Sequence, residues 1–266
     1  MSVRKPTPPS SPAPAPPAPA EIASSPLSSV VIVGPGRLGS ALAAALLGVG
    51  VKARLVGRGA PIPPADLTLL TVPDRAIAEA ASAVPPGGVL LHTSGATDLS
   101  PLRPRAPVGS FHPLMTFPGG GAATALQGVP VALAGDPPAL AAGRALAERL
   151  EMCPFEVPGD RRLYHAAAVL AGNFSTVLIA VASQALAQAG VPADQAPALL
   201  APLALASIQN AARLGPAQAL TGPVARGDLG VLQGHQEALR ADLPEVATLY
   251  DALLVEARRL ARQQRP

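Results

Sequence analysis

The sequence lacks tryptophan and has one cysteine, Cys153, and two lysines, Lys5 and Lys52, in 266 residues. A single thiol excludes an intramolecular disulfide and any cysteine-rich zinc site. Nothing therefore indicates an oxidising compartment, and a cytoplasmic setting is expected. Charge is scarce too: 20 Lys and Arg against 17 Asp and Glu leave a net +3, which is no nucleic-acid footprint. The densest basic group, Arg258, Arg259, Arg262 and Arg265, closes the last predicted helix, where cations suit the dipole and face solvent. Residues 1–27 are rich in Pro, Ser and Ala. They contain neither the apolar centre of a signal peptide nor the roughly 18 uninterrupted apolar residues of a membrane span, and read as a disordered tail. No repeat at solenoid periods is present.

What the chain does have is apolar material, 49% of its residues, in a length suited to two domains. Its organising stretch is Val30 to Gly39, V-V-I-V-G-P-G-R-L-G. The β-branched run suits a strand buried on both faces of a parallel sheet. The glycines come next at G-x-G-x-x-G spacing: Gly34 for a sharp turn, Gly36 for close approach of backbone to a diphosphate, and Gly39 for close packing of the next helix on its strand. Pro35, Arg37 and Leu38 complete the loop and open the amphipathic segment to Leu47, whose N-terminus favours an anion. At the end of the second strand, Lys52 to Val56, an NAD enzyme places an acid for the ribose 2′-hydroxyl. Here stands Arg58, with Arg54 nearby, which favours the 2′-phosphate of NADP over NAD.

Residues 59–65 are too short and proline-rich for a crossover helix, so the strand Leu67 to Val72 is expected after a loop. Thr71, Val72 and Pro73 end that strand, and Asp74 is expected to cap the next helix. Further strands are read at Gly88 to His92, Val108 to Phe111, Val129 to Ala134 and Cys153 to Val157. Asp136 is expected to cap the helix Ala139 to Leu150. Ligands gather at the carboxyl ends of strands in such sheets, which draws attention to Thr71, His92 and Ser94. From Asp160 onward only helices are read: Arg161 to Ala189, Ala196 to Leu214, Asp228 to Ala241 and Pro244 to Gln264, with 220–228 as a loop. The expected organisation is a tail over 1–27, an α/β Rossmann-type parallel-sheet domain over 28–158, and an all-α domain over 159–266.

On the first of those helices, His165 and Asn173 share a side and suit one wall of an interdomain cleft. Arg226, in the L-T-G-P-V-A-R-G-D segment, offers a fork to a substrate carboxylate or an ion pair to Asp228. None of the four histidines (His92, His112, His165, His235) pairs at i,i+4 spacing or with an evident acid, so no metal site is expected. Five of the six aromatics lie between residues 111 and 174, a clustering that suits packing and also the wall of a substrate pocket.

Taken together, these pieces resemble a family of Rossmann-like oxidoreductases with a C-terminal helical domain of unknown function, DUF2520. The matching pieces are G-P-G-R-L-G at 34–39, T-V-P-D at 71–74, H-T-S-G at 92–95, F-H-P-L-M-T-F at 111–117, Y-H-A-A-A-V-L-A-G-N at 164–173, and L-T-G-P-V-A-R-G-D with His235 downstream. The family is similar to the 6-phosphogluconate dehydrogenase-like group, which includes pyrroline-5-carboxylate and ketopantoate reductases. That resemblance implies an NADP-dependent reductase acting on a C=O or C=N bond of a small acid such as a ketopantoate-type 2-keto acid, and a homodimer formed through the helical domain. One departure is plain. The group's hydroxyacid dehydrogenases place a catalytic lysine four residues before an asparagine on this helix, and here that position before Asn173 is Val169. The proton is then expected from His165, or from His112 on the facing loop, with Asn173, Ser94 and Arg226 orienting the substrate. The alternative is a non-catalytic NADP-binding or regulatory protein. No membrane or nucleic-acid partner is expected.

Overall fold

The computed structural model describes residues 27–117 and 126–264. All but Leu27 of the expected tail, the three glycines after Phe117, and Arg265 lie outside the described residues. The first unit is built on seven strands: β1 (Val30–Val33), β2 (Ala53–Val56), β3 (Leu67–Leu70), β4 (Val89–His92), β5 (Val108–Pro113), β6 (Pro130–Gly135) and β7 (Cys153–Glu156), in the order β2-β1-β3-β4-β5-β6-β7. Helices α1 (Arg37–Gly48), α2 (Ile77–Ala83) and α3 (Pro137–Arg149) pack on it.

The period-2 geometry of a strand explains why β1 is uninterruptedly apolar. Val30 and Ile32 enter one core layer with Leu42 and Leu46 of α1 and Leu146 of α3. Val31 and Val33 enter the opposite layer with Ile77 and Ala81 of α2. The link from β2 to β3 carries no helix, as the prolines require, and β3 crosses to the far side of β1. Two strands depart from the expected parallel sheet: β6 runs antiparallel to β5, with Phe111 opposite Leu133, and β7, parallel to β6, shares its reversed direction. Just past β5, Leu114 N–H donates to Pro130 O at the start of β6 at 2.8 Å.

Two expected caps act differently. Asp136 sits at the N-cap of α3 without a capping bond. Its carboxylate instead accepts from Val108 N–H at 2.9 Å and from the Arg103 guanidinium at 2.6 and 3.1 Å, tying the start of β5 to the helix. Asp74 opens a one-turn 3-10 segment and turns its carboxylate to Ser94.

The second unit begins at Val169. The single helix expected from Arg161 to Ala189 is two, α4 (Arg161–Ala171) and α5 (Asn173–Gln188), interrupted at Gly172, whose φ of −97° and ψ of −73° depart from helical values. Beyond them lie α6 (Ala196–Leu214), the short α7 (Pro216–Ala219) and α8 (Gly222–Arg226), α9 (Leu229–Asp242) and α10 (Pro244–Arg262). Helix α8 replaces the expected loop, entered through Gly222-Pro223 and closed by Gly227 at φ 72°. Asp228 caps α9 as expected, accepting from Val231 N–H at 3.4 Å. The stretch Arg161–Gln188 has a mean hydropathy of 1.8 over its most apolar 18 residues, none of them buried. By length and composition alone it would suffice to cross a membrane.

Candidate active site

The carboxyl ends of β1, β3, β4 and β5 share one edge of the sheet, because these strands are mutually parallel. On that edge lies a cavity of about 700 Å³ lined by Val33 to Gly36, Gly57 to Ile62, Thr71 to Pro73, and Ala76, Glu79, Ala80 and Ala83 of the following turns. The three glycines of the loop do different work. Gly34 has φ 114°, and a Cβ there would stand 2.8 Å from Thr71 O. A Cβ on Gly39 would stand 2.0 Å from Gly34 O and 2.6 Å from Thr71 Oγ1. Around Gly36 nothing comes within 4 Å of a Cβ position, leaving the backbone open to a ligand. Thr71 closes the knot, its hydroxyl donating to Gly34 O at 2.7 Å. Leu38 packs into the core, while Arg37 and Arg58 are exposed. Arg58, together with Pro35, Val72 and Pro73, lines the cavity.

Past Pro73 the edge becomes polar. His92 Nε2–H donates to Asp98 O at 3.1 Å, and His92 Nδ1 accepts from Ser94 N–H at 3.2 Å. A carbonyl can only accept and a backbone N–H can only donate, so the ring is the neutral Nε2–H tautomer. Burial, reinforced by the charge of Arg161, lowers its pKa from 6.5 to about 4. Ser94 Oγ lies 2.8 Å from Asp74 Oδ2 and 2.9 Å from Thr97 Oγ1, and accepts from Thr97 N–H at 3.0 Å. Its hydroxyl is thus committed within the loop.

The strongest feature of the edge was not legible as a motif. Arg161, at the start of α4 and 9% exposed, donates from its two terminal nitrogens to Ser110 Oγ at 2.9 Å and Ser94 O at 2.8 Å. Its Nε is buried without a partner, and among the described residues no carboxylate forms an ion pair with it. One turn on, Tyr164 Oη lies 2.6 Å from His112 Nδ1, and the Tyr164 ring centroid lies 5.9 Å from Arg161 Cζ. Phe155 meets the Tyr164 ring at 6.2 Å. Burial, then the charges of Arg161 and neighbouring His165, lower the pKa of His112 to about 4. Burial raises that of Tyr164, against a lowering pull from Arg161. His165 meets the His112 ring at 6.1 Å and makes no hydrogen bond among the described residues. Gly95 lets these rings close in, since a Cβ there would stand 2.6 Å from His165 and 2.9 Å from His112.

The structure therefore gathers Thr71, Ser94, His112 and His165 on one edge. Arg161 and Tyr164 join them, the sequence having marked Arg161 only as a helix start and Tyr164 as one of the clustered aromatics. Asn173 and Arg226 belong to the helical unit, where both are exposed and Arg226 makes no ion pair to Asp228. His235 is also there, 3.0 Å from Tyr250 Oη. Among the described residues no group of histidine, cysteine and acids is arranged to hold a metal.

Residues 129–256 match the family described as a domain of unknown function, DUF2520. That match begins just before β6 and so spans the last strands of the sheet as well as the helices. A sequence comparison with curated proteins gives no match. Among solved structures, the chain is similar to a Bacteroides fragilis protein provisionally assigned as an NADP oxidoreductase (23% identity, 90% of this chain and 100% of that one, TM-score 0.71). A reductive aminase from Aspergillus terreus, solved with NADPH and ethyl levulinate, is similar at 19% identity over 87% of this chain and 94% of that one, with a TM-score of 0.62. The 1-pyrroline-5-carboxylate reductase of Streptococcus pyogenes is similar at 16% identity over 86% of this chain and 98% of that one, with a TM-score of 0.58. These likenesses show a shared fold. Residues 129–256 thus carry the DUF2520 match within a chain whose fold is of the Rossmann type followed by helices.

Proposed function

We propose that the chain is an NADP-dependent oxidoreductase that reduces a C=O or C=N bond of a small acid, with a ketopantoate-type 2-keto acid as the specific candidate. The observation that carries this reading is the 700 Å³ cavity at the carboxyl edge of the sheet, with the open Gly36 backbone and Arg58 both lining it. The residues fit a dinucleotide. Gly34 to Gly36 and the unpaired N–H groups at the start of α1 suit a diphosphate, and Arg58 suits a 2′-phosphate by charge and planar fork. Bound there, a reduced nicotinamide supplies hydride to the substrate carbon. The cluster of side chains beside Ser94 and Gly95 supplies a proton to the atom that gains charge. The similar structures assigned to NADP or solved with NADPH support the choice of cofactor.

We propose also that the chain is a homodimer through its helical unit, supported by the large apolar side chains exposed on α5 and α6. A cytoplasmic setting is part of this reading and rests on the single cysteine.

A thermal-shift series tests the cofactor. NADPH should stabilise the chain more than NADH, and S-adenosylmethionine not at all. Arg58→Ala should weaken NADPH by on the order of tenfold, as for a lost charge-assisted hydrogen bond, and leave NADH nearly unchanged. Equal weakening of both would refute the phosphate contact. The second reading, a non-catalytic NADP-binding regulator, is favoured by Val169 in the place of a lysine. It predicts NADPH stabilisation with no oxidation across a panel of 2-keto acids and cyclic imines.

A further inference from the structure

We infer that Tyr164 is the proton donor of the proposed reduction, recharged by His112 and held ready by Arg161, so that a phenol does what a lysine does elsewhere in the group. This rests on the reductase reading. Only two lysines exist, neither at the expected helix position, so the acid must come from another side chain on the sheet edge. His92 has both nitrogens committed, and the Ser94 hydroxyl is committed to Asp74 and Thr97. His165 makes no hydrogen bond among the described residues that would fix the direction of its ring. Tyr164 has all that a relay needs: a hydrogen bond of 2.6 Å to an imidazole, part of its surface open, and ring contacts from His112 and Phe155 that hold its direction.

The buried guanidinium of Arg161 explains why a phenol can serve. Fixed by Ser94 and Ser110 and lacking a carboxylate, it presents an uncompensated positive charge 5.9 Å from the ring centroid. That charge stabilises a phenolate as it forms and costs no reorganisation. The same charge, with burial, keeps His112 neutral, and a neutral imidazole can give at one nitrogen while taking at the other. The groups bearing on His112 are Arg161, His165, Asp74 and His92.

In the reduction the Tyr164 O–H bond breaks, and its proton goes to the substrate oxygen or nitrogen as hydride reaches the adjacent carbon. The phenolate oxygen takes the proton from His112 Nδ1, and His112 Nε2 takes one from water. Tyrosine ends as it began and His112 ends as the other neutral tautomer, which exchanges back through solvent.

The orientation of one hydrogen bond decides the matter. Tyr164 can give its proton to a substrate only if His112 Nδ1–H donates to Tyr164 Oη, and 15N NMR at neutral pH distinguishes the two tautomers, with His112→Gln identifying the resonances. The expected result is Nδ1–H in the unaltered chain and a shift toward Nε2–H in Tyr164→Phe. With Tyr250→Phe as background, Tyr164 is the sole tyrosine in a chain without tryptophan. Its phenolate absorbance should then appear at higher pH when Arg161→Gln removes the charge, and return toward its original position in Arg161→Lys. Tyr164→Phe should keep its stabilisation by NADPH and lose about 10²-fold or more in turnover on the keto-acid and imine panel. His112 protonated at Nε2, or a Tyr164 titration indifferent to Arg161, overturns the relay even while NADPH binds. Absence of any NADPH stabilisation removes the reductase reading and the relay with it.

Discussion

Residue identity at the glycine turn separates folding from binding with unusual clarity. Gly39 and Gly36 belong to one motif, yet a methyl at Gly39 collides with Gly34 O at 2.0 Å whereas one at Gly36 meets nothing within 4 Å. Gly39→Ala is therefore expected to lower stability by about 1–3 kcal/mol, the cost of overpacking against backbone that cannot yield. Gly36→Ala is expected to leave the urea midpoint within about 0.5 kcal/mol of the original and to weaken NADPH by on the order of tenfold, one decade in Kd. A Gly36→Ala chain that binds NADPH undiminished would show that no diphosphate passes that backbone. The spacing was visible in the sequence because backbone geometry demands glycine outright. The part of Thr71 was not, because a hydroxyl bonded to Gly34 O has no pattern along the chain.

The H-T-S-G turn after β4 behaves as an element with its own pH response. His92 is neutral and doubly bonded within it, its pKa lowered to about 4 by burial and by Arg161, against 6.5 when unfolded. Between those values the unfolded chain binds more protons than the folded one, so stability rises with pH across that window. The contribution is fully present above about 6.5 and is lost as pH falls toward 4, amounting at most to on the order of 3 kcal/mol. Urea unfolding of the unaltered chain should show this slope, with His112 adding to it in the same direction. His92→Gln should flatten it, and an equal slope in that variant would assign the effect elsewhere. At this scale the strands and long helices could be read from their apolar periods. The turning of Asp74 and Asp136 away from their caps could not, since each depends on a partner distant in the chain.

For the whole molecule, the unexplained quantity is exposed apolar surface. Leu199 and Leu203 lie a turn apart on α6 at 57% and 67% exposure, and Phe174 and Val177 are each 48% exposed on α5. In the proposed reading, this surface on two adjoining helices is where a partner docks. A membrane would have to accept a stretch that begins with Arg161 bonded to Ser94 and Ser110, which favours a second copy of the chain. Light scattering at micromolar concentration should give a dimer, and Leu203→Asp a monomer that still shows NADPH stabilisation. A monomeric unaltered chain, or partition into lipid vesicles, would reject the dimer.

The sequence by itself determined the βαβ start, the glycine turn, the cationic end of the second strand, the absence of the expected lysine and the change from mixed to helical structure. Those features arise from local period and from residues whose conformational demands are intrinsic. Only the tertiary structure decided that β6 turns back against β5, that Ser94 and His92 serve the loop, and that Arg161 lies without a counter-ion beside Tyr164 and His112. The physical reason is that a hydrogen bond or an uncompensated charge is a relation between groups far apart in the chain: Arg161 and Ser94 are 67 residues apart, and Tyr164 and His112 are 52 apart. Such a relation does not exist until the sheet brings its strand ends together.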